Sequence, residues 1–402
     1  MIDLGSVEEA MEVMRRQFPP TPMIFSEHFS RITGAHVYLK LENLQRTGSF
    51  KVRGAANKVA RCRGEIGAKG VVAASAGNHA QGVALAASRA GVPAVVVMPE
   101  TAPISKQLST RGYGAQVILA GRTVADALAR AAEFVEEGYF FVHPFDDEDV
   151  MAGQGTVGLE ILAQAERFDE VWVPVGGGGL ISGIATAVKS RRPEVQVVGV
   201  QTEACPSARE ALRSGRPVEV PMDRTIADGI LVSKVGERPF AVLSRLVDRM
   251  LTVEESRIAM TIVQLLEKKK LLAEGAGIVG LAALLAAEPG AVKDRTIVVV
   301  VSGGNVDLNV LDRVLEQGLI RTGRILRFQV VLDDVPGALR SLLGVLSEKK
   351  ANILHILHDR LSLDLPLGRS RVEVAAETRG AEHIEELLAA LTERGFTVDA
   401  RV

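Results

Sequence analysis

The stretch ENLQRTGSFKVRGA, residues 42–55, places one lysine, Lys51, between a turn that contains Gly48 and a helical pattern from Ala55 onward. A lysine in isolation is far more often a solvated surface residue than a reactive one. Three other stretches raise the expectation of a site, since each follows an apolar run and is rich in small residues. They are Ser75-Ala76-Gly77-Asn78-His79, Gly176-Gly177-Gly178-Gly179-Leu180 and Ser302-Gly303-Gly304-Asn305.

Short aliphatic runs alternate with helical patterns along most of the chain. The runs rich in β-branched residues are 70–74, 94–98, 115–119, 140–142, 170–175, 195–200 and 296–301. Continuous apolar runs predict strands buried on both faces, as in parallel sheets covered by helices. We therefore expect an α/β fold with two lobes and a site where strands end and helices begin. Residues 1–320 are assigned to this region, with a smaller lobe, about 45–145, inserted in the larger one.

The pattern changes near the C-terminus, where the order becomes strand, helix, strand, strand, helix, strand. The predicted strands are 325–332, 352–361, 370–378 and 396–401, and the predicted helices are 338–349 and 381–394. This order predicts a ferredoxin-like βαββαβ module, which we assign to residues 321–402. At the other end of the chain, Ser6 and Glu9 have the spacing of a capping box, which predicts a helix that begins there and runs to about Gln17.

Composition excludes several classes of function. The chain has 402 residues, 47% hydrophobic and 24% charged, with a formal net charge of −2, which argues against nucleic-acid and anionic-membrane partners. The longest apolar run, between Glu274 and Glu288, is too short to span a bilayer. The first twenty residues lack the apolar segment of a signal peptide, and Cys62 and Cys205 are interpreted as free thiols of a reducing compartment. We expect a cytoplasmic protein.

The glycine stretch 176–179 predicts an anion cradle. Backbone N–H groups of consecutive glycines can surround a phosphate, and the amino end of the following helix adds its dipole. The spacing is neither G-x-G-x-x-G nor the P-loop pattern, and a tight turn that binds nothing is the alternative. The stretch 75–79 offers N–H groups, a hydroxyl and an amide that suit a carboxylate, with a simple helix cap as the alternative. Ser302 is expected to point into the crevice, unless it only caps a turn.

No metal-ligand constellation stands out, because His355 and His358 lie three apart on a predicted strand and so face opposite sides. Taken together, a lysine, a phosphate cup, a carboxylate loop and a serine at a strand end suit pyridoxal 5′-phosphate. This cofactor needs an amine for its aldehyde, a cup for its phosphate and a partner for its ring nitrogen. A free lysine has a pKa near 10.4, so Lys51 is expected in a desolvated place that favours the neutral amine.

On these residues the sequence resembles the fold type II pyridoxal-phosphate enzymes, and within them the serine/threonine dehydratases, over roughly residues 5–320. The resemblance implies that Lys51 holds the cofactor and is the catalytic base, with Phe50 against the cofactor ring. It implies roles for the other stretches as well. Asn78 would bond the 3′ oxygen of the cofactor, Ser302 its ring nitrogen, and Gly176, Gly177, Gly178, Gly179 and Leu180 its phosphate, while Ser75, Asn78 and His79 would surround the substrate carboxylate.

The resemblance further implies β-elimination of L-threonine to 2-oxobutanoate and ammonia, with L-serine to pyruvate as a secondary activity, in a homodimer or homotetramer. A neutral serine at the ring nitrogen fits elimination better than transamination. The role would be isoleucine biosynthesis or threonine catabolism.

Ala76 stands where serine racemases of this family have a second serine, which disfavours racemisation. Gln201 and Ser207 replace the acids that bind a divalent cation in some relatives, with only Glu203 between them, so no divalent site is expected, whereas a monovalent ion stays open.

The tail resembles an ACT-type regulatory domain at residues 333–338 and 352–353. This resemblance implies that a small amino acid, such as isoleucine or valine, binds at a domain–domain interface and inhibits the enzyme. The effector-binding residues would be Asp334, Pro336, Gly337 and Asn352. Three alternatives stay open: a module that only dimerises, a serine racemase or β-replacement enzyme of the same family, and an amino-acid-sensing protein with a degenerate catalytic lobe.

Overall fold

The aliphatic runs predicted to be strands are strands in the structure, a computed structural model that describes residues 1–361 and 364–401. Positions 362, 363 and 402 of the predicted C-terminal module lie outside the described residues. The chain divides into two units, Met1–Leu308 and Asn309–Val402. The strands of the first unit are β1 (Met23–Phe25), β2 (His36–Leu41), β3 (Val71–Ala74), β4 (Ala94–Met98), β5 (Gln116–Leu119), β6 (Phe140–Phe141), β7 (Glu170–Pro174), β8 (Gln196–Thr202), β9 (Arg249–Val253) and β10 (Thr296–Val301).

These strands form two sheets, which confirms the two-lobed α/β prediction. The larger sheet has six strands in the order β1-β2-β10-β7-β8-β9, and the smaller has four in the order β5-β4-β3-β6. β1 runs antiparallel to β2, whereas the other pairings in both sheets are parallel. β1 and β9 were not predicted, because both are only partly buried and so lack the continuous apolar run of a central strand.

Helices cover both sheets. In the first unit they are α1 (Leu4–Gln17), α2 (Glu27–Thr33), α3 (Lys51–Arg61), α4 (Asn78–Arg89), α5 (Ile104–Gly112), α6 (Val124–Glu136), α7 (Glu148–Gln164), α8 (Gly179–Arg191), α9 (Ser207–Ser214), α10 (Glu237–Leu246), α11 (Glu255–Lys269) and α12 (Gly275–Leu285). The predicted cap at Ser6 is wrong, because Asp3 is the N-cap of α1 and its carboxylate accepts a hydrogen bond from the Ser6 N–H at 2.8 Å. An ionised carboxylate is a stronger acceptor at a helix amino end than a hydroxyl.

Each sheet has its own aliphatic core. The core of the smaller sheet includes Val71, Ala73 and Val96, and it also takes in Met14 and Phe18 from the end of α1. The smaller lobe therefore borrows part of its core from residues outside 45–145. The core of the larger sheet is rich in valine and isoleucine from β7, β8, β10 and α8. Alanine-rich helices such as α4 lie close against the strands because their side chains are small.

The second unit is a separate antiparallel module. It contains α13 (Leu308–Arg321), whose first residue is the last of the first unit, followed by β11 (Ile325–Asp333), α14 (Ala338–Glu348), β12 (Asn352–Asp359), β13 (Arg369–Glu377), α15 (Ala381–Glu393) and β14 (Val398–Arg401). Its sheet order is β12-β13-β11-β14, all antiparallel, as expected for βαββαβ. The predicted boundary between residues 320 and 321 lies at the end of α13, whereas the units divide at its beginning.

Within residues 1–361 and 364–401, no helix is long and apolar enough to cross a membrane.

Candidate active site

Lys51 is the first residue of α3 and lies just beyond the carboxyl end of β2. Because β2 and β10 are parallel neighbours, the segments that follow them lie side by side. Ser49 forms a bridge with Gly303, and the Phe50 N–H donates to the Ser302 carbonyl at 3.1 Å. The lysine stretch and the serine stretch are therefore hydrogen-bonded to each other, and the buried Ser302 lies next to Phe50.

Asn305 connects these two stretches to the asparagine loop. Its Nδ2 donates at 2.7 Å to the Thr47 carbonyl and at 2.7 Å to Asn78 Oδ1. Gly48 makes this approach feasible, since its φ is +73° and a Cβ there would overlap the side chain of Asn305. Three of the four predicted stretches thus meet at one point.

Glu274, at the N-cap of α12, is a site residue that the sequence analysis missed. Asn78 Nδ2 donates to its Oε1 at 2.6 Å, and its backbone N–H donates to the Gly303 carbonyl at 3.1 Å. Burial, with a smaller contribution from the Asp228 carboxylate, raises the pKa of Glu274 to about 7. A sequence signal existed, because Glu274 is the one charged residue between Lys270 and Glu288.

The Lys51 amine lies in the desolvated setting that its expected chemistry requires. Its Nζ donates to the Pro144 carbonyl at 2.9 Å and lies 5.3 Å from the centre of the Phe50 ring. Burial lowers the pKa of Lys51 to about 8, against the opposing attraction of Glu274. About one tenth of the amine is therefore neutral at pH 7, and the fraction rises steeply toward pH 8. The Phe50 ring also packs against the core of the larger sheet.

The glycine loop follows β7 and leads into α8. Gly178 is the N-cap of α8 with φ +94° and no side-chain hydrogen bond, which leaves the first N–H groups of the helix available to an anion. Leu180 packs its side chain into the core of the larger sheet, so only its backbone can face a ligand. A Cβ at Gly177 would overlap the ring of Phe145. Phe145 follows Pro144, the acceptor of the Lys51 amine, so the fourth stretch joins the same site.

The asparagine loop connects β3 to α4, which begins at Asn78 without a side-chain cap. Ser75 Oγ accepts from the Gly77 N–H at 3.2 Å. His79 is buried, and its Nε2 donates to the Val142 carbonyl at 2.8 Å. Burial lowers its pKa to about 3, and among the described residues nothing bonds its Nδ1. A neutral imidazole with a bare Nδ1 lone pair repels a carboxylate, so His79 can serve one only through its backbone N–H.

A buried ion network, also missed from the sequence, fixes the segment that carries Lys51. Arg53 Nε contacts Glu42 at 2.7 Å and Arg53 Nη1 contacts Glu160 at 2.6 Å. Lys40 Nζ contacts the other oxygen of Glu160 at 2.6 Å. These charges neutralise one another, as buried charges must. The network ties α3 to β2 and α7, two residues after Lys51.

Gln201 takes part in backbone capping at the place where a divalent site was judged absent. It is buried at the end of β8, and its Nε2 donates to the Val175 carbonyl at 3.2 Å. Its Oε1 accepts from the N–H groups of Ala208 at 2.9 Å and Arg209 at 3.1 Å. Both the donor and the acceptor of the Gln201 amide are thus hydrogen-bonded to protein groups. Within the described parts of the chain, no group of three or more His, Cys, Asp or Glu side chains could hold a metal ion.

The predicted effector residues do not form one site within the second unit. Asp334, Pro336 and Gly337 lie in the turn between β11 and α14, where Asp334 pairs with Arg360 at 2.8 Å. Asn352 begins β12, beyond the opposite end of α14, and donates to Glu377 at 2.8 Å. An eleven-residue helix is about 16 Å long, so one small amino acid cannot contact both ends.

Comparisons with known proteins are consistent with this geometry. The family profile described as "Pyridoxal-phosphate dependent enzyme" matches residues 14–303. The chain is 49% identical over 400 residues to the L-threonine ammonia-lyase of Geobacter sulfurreducens, a match that covers 99% of each chain. Among solved structures, the processed form of threonine deaminase isoform 2 from Solanum lycopersicum has a TM-score of 0.73 and 37% identity, covering 78% of this chain and 94% of its own. Maize serine racemase has a TM-score of 0.74 and 33% identity, covering 79% of this chain and 98% of its own.

Proposed function

The chain belongs to the family of pyridoxal-phosphate dependent enzymes, and we propose that it is an L-threonine ammonia-lyase. It converts L-threonine to 2-oxobutanoate and ammonia, and L-serine to pyruvate as a secondary activity. The observation that carries this proposal is the half-buried side chain of Lys51 at the junction of all four loops, with the pKa of its amine lowered to about 8. The identity of 49% to a relative of that name, over nearly the whole chain, supports the choice of substrate.

The residues of the site fit the cofactor of this family. The glycine loop has no room for a Cβ at Gly177, where it would overlap the Phe145 ring, and the loop joins the uncapped amino end of α8. We assign the phosphate to the backbone of Gly176, Gly177, Gly178, Gly179 and Leu180. Lys51 would hold the cofactor at its aldehyde carbon, Asn78 would bond its 3′ oxygen and Ser302 its ring nitrogen, and Phe50 would border the ring. When bound, the cofactor withdraws electrons from the substrate Cα and so makes its proton acidic.

The protein groups then divide the work of elimination. Once the substrate amine has taken its place, the freed neutral amine of Lys51 would take the Cα proton, for which a base with a pKa near the working pH is well suited. The substrate carboxylate lies at the amino end of α4, held by the Ser75 hydroxyl, the Asn78 side chain and the backbone N–H of His79. Loss of the Cα proton and the β-hydroxyl removes one water from threonine. Addition of water to the released product then yields 2-oxobutanoate and ammonia.

Ala76 separates this proposal from its nearest alternative. Maize serine racemase is a structural neighbour, so a serine racemase of the same family is the second candidate. A racemase needs an acid or base on each face of the substrate Cα, and the methyl group of Ala76 offers neither. Racemisation is therefore proposed to be at most a minor activity. Chiral analysis of serine recovered after incubation with the enzyme measures it directly.

The second unit is proposed to regulate the first. The threonine deaminase neighbour is matched over 94% of its own length by 78% of this chain, which supports a separate role for the remaining part. We propose that a branched-chain amino acid, isoleucine or valine, binds at the turn that holds Asp334, Pro336 and Gly337 and inhibits turnover. Because Asn352 lies at the far end of α14, its contribution requires a second copy of the module. A homodimer or homotetramer in the cytoplasm is part of this proposal, and the buried free thiols Cys62 and Cys205 suit a reducing compartment.

The test of the catalytic proposal is the Lys51→Ala variant. It should release no measurable ammonia from L-threonine and should lose the visible absorbance band of the bound cofactor. The matched control is Lys58→Ala, which removes another lysine of the same helix that pairs with Asp147 and Asp149. The control should keep the band. Wild-type rates of ammonia release in Lys51→Ala would disprove the proposal, and a colourless wild-type protein unreactive with added cofactor would favour an amino-acid sensor.

A further inference from the structure

We propose that Glu274 is a positioning residue that fixes the side-chain amide of Asn78 with its N–H side toward the cofactor. The proposal rests on the proposed function only for the identity of the cofactor. Glu274 is buried to 6% exposure at the amino end of α12, and it is not among the groups that bind the substrate carboxylate or take the Cα proton. It acts through Asn78 and not on the substrate.

The orientation of the Asn78 amide follows from its two neighbours. The Thr47 carbonyl can only accept a hydrogen bond, so the atom of Asn305 that lies 2.7 Å from it is the donor Nδ2. That same Nδ2 also lies 2.7 Å from the Asn78 side chain, which must therefore present its oxygen there. The Asn78 nitrogen then faces Glu274 at 2.6 Å. A backbone carbonyl at one end and a carboxylate at the other thus determine the direction of the whole chain of bonds.

Glu274 is itself held in place. Its backbone N–H donates to the Gly303 carbonyl at 3.1 Å, and its Oε1 lies so close to Gly303 that a Cβ there would overlap it. The amino end of α12 favours a negative charge. The carboxylate therefore has little freedom to turn away from Asn78, and it holds the amide in one of its two possible orientations.

The consequence concerns the second hydrogen of the Asn78 nitrogen. One hydrogen goes to Glu274, and the other stays available for an oxygen of the cofactor. Without the carboxylate the amide keeps only Asn305 of the two partners that select this orientation, so its oxygen turns toward the ligand more easily. An amide oxygen facing an anionic oxygen is repulsive, so cofactor affinity should fall.

The charged groups around Glu274 set the conditions for the test. Lys51 and Glu274 attract each other, and Asp228 and Lys106, which form a pair at 3.3 Å, act on Glu274 from the segment before α10 and from α5. Since the pKa of Glu274 is raised to about 7, measurements at pH 8 keep it mainly ionised.

The experiment measures affinity of the cofactor-free full-length protein for pyridoxal 5′-phosphate at pH 8, together with the visible absorbance band of the bound form. Glu274→Met, which keeps the volume but has no acceptor, should weaken binding roughly tenfold or more and shift the band. Glu274→Gln keeps an acceptor oxygen and should restore affinity to within about threefold of wild type. Glu254→Met is the matched control, since Glu254 is also an N-cap glutamate, exposed and before α11, and it should change neither readout.

A double-mutant cycle with Asn78→Ala tests the route. If Glu274 acts through Asn78, adding Glu274→Met to the Asn78→Ala variant should weaken its affinity for pyridoxal 5′-phosphate by less than about twofold further. Additive losses, or wild-type affinity and absorbance in Glu274→Met, would overturn the proposal. Should Glu274→Met fail to fold, Asn305→Ala takes its place in the cycle, because it frees the other end of the same amide. Ammonia release by the wild type is a separate measurement, so failure of the proposed function is distinguishable from failure of this inference.

Discussion

Lys51 is the central residue of the proposed chemistry, and its desolvated amine also reduces the stability of the fold. Its amine is transferred from water to a place where the Pro144 carbonyl at 2.9 Å is its hydrogen-bond acceptor. The charged form is disfavoured there, which lowers the pKa to about 8. A group whose pKa is lower in the folded state than its unfolded value near 10.4 reduces the stability of the fold wherever it is protonated. Function and stability therefore oppose each other at this position.

Replacing Lys51 with methionine should stabilise the cofactor-free protein while abolishing activity. Below pH 8 the wild-type lysine is charged in both states, so its full burial cost is present, and the variant should gain roughly 1–3 kcal/mol, allowing for the loss of the bond to Pro144. Between pH 8 and about 10.4 the unfolded state holds more protons than the folded state, so the wild type gains stability and the advantage disappears. Urea unfolding of both proteins at pH 7 and pH 10 checks this. An advantage independent of pH would contradict the electrostatic account.

At the scale of elements, the site depends on loops that connect strand ends to helix starts. The β2–α3, β3–α4, β7–α8 and β10–α13 connections all contribute, and Asn305 and Phe145 join them into one surface. The ion network of Arg53 with Glu42 and Glu160 fixes α3 against β2 and α7. Removing one partner of such a buried set is costly because the remaining charges stay unpaired. The position of Lys51 is thus determined by several elements at once.

The Gly177→Ala substitution tests the role of the β7–α8 loop. Its Cβ would overlap the Phe145 ring, so the ring or the loop must shift and the cradle should lose its shape. We expect affinity for pyridoxal 5′-phosphate to fall roughly tenfold or more, and the free energy of unfolding to fall by about 1–3 kcal/mol because the loop is overpacked. Gly112→Ala is the matched control, since a Cβ at the end of α5 meets nothing within 4 Å. Unchanged cofactor affinity in Gly177→Ala would show that this loop does not bind the phosphate.

At the scale of the whole molecule, the chain consists of a catalytic unit and a module with its own core. That core contains Leu326, Phe328 and Leu387, buried between the sheet and its helices. Every residue assigned to the catalytic site lies in the first unit, Met1–Leu308. The structure divides the chain after Leu308, the first residue of α13, whereas the predicted boundary follows residue 320, and a chain that ends at Leu308 tests whether the two units have separate roles.

A chain that ends at Leu308 should keep threonine turnover within a few-fold of the full-length enzyme and lose its response to isoleucine and valine. The reason is that the proposed effector turn is absent, whereas the catalytic loops are complete. Ammonia release is measured for both chains against a panel of branched-chain amino acids. Full-length Asp334→Ala is the companion variant, which should weaken the response without shortening the chain. A full effector response in the shortened chain would refute regulation by the second unit.

Local sequence determined much of this protein. The β-branched runs fixed the buried strands, and the order of patterns after Ile325 fixed the βαββαβ module, because strand burial and helix periodicity depend on residues near one another in the chain. The four stretches of the site were visible for the same reason, since each is a continuous strand-to-helix connection.

Tertiary structure alone decided which side chains connect those stretches and which of these side chains are charged. Glu274 and Arg53 look like ordinary charged residues in the sequence. Their function depends on partners far away in the chain, such as Asn78 for Glu274 and Glu160 for Arg53. The neutral state of His79 likewise follows from its burial against the Val142 carbonyl. Burial and distance set the energies of charges, and both are properties of the folded chain. The sequence therefore determined which groups are present, and the fold decided which of them are charged, paired and able to react.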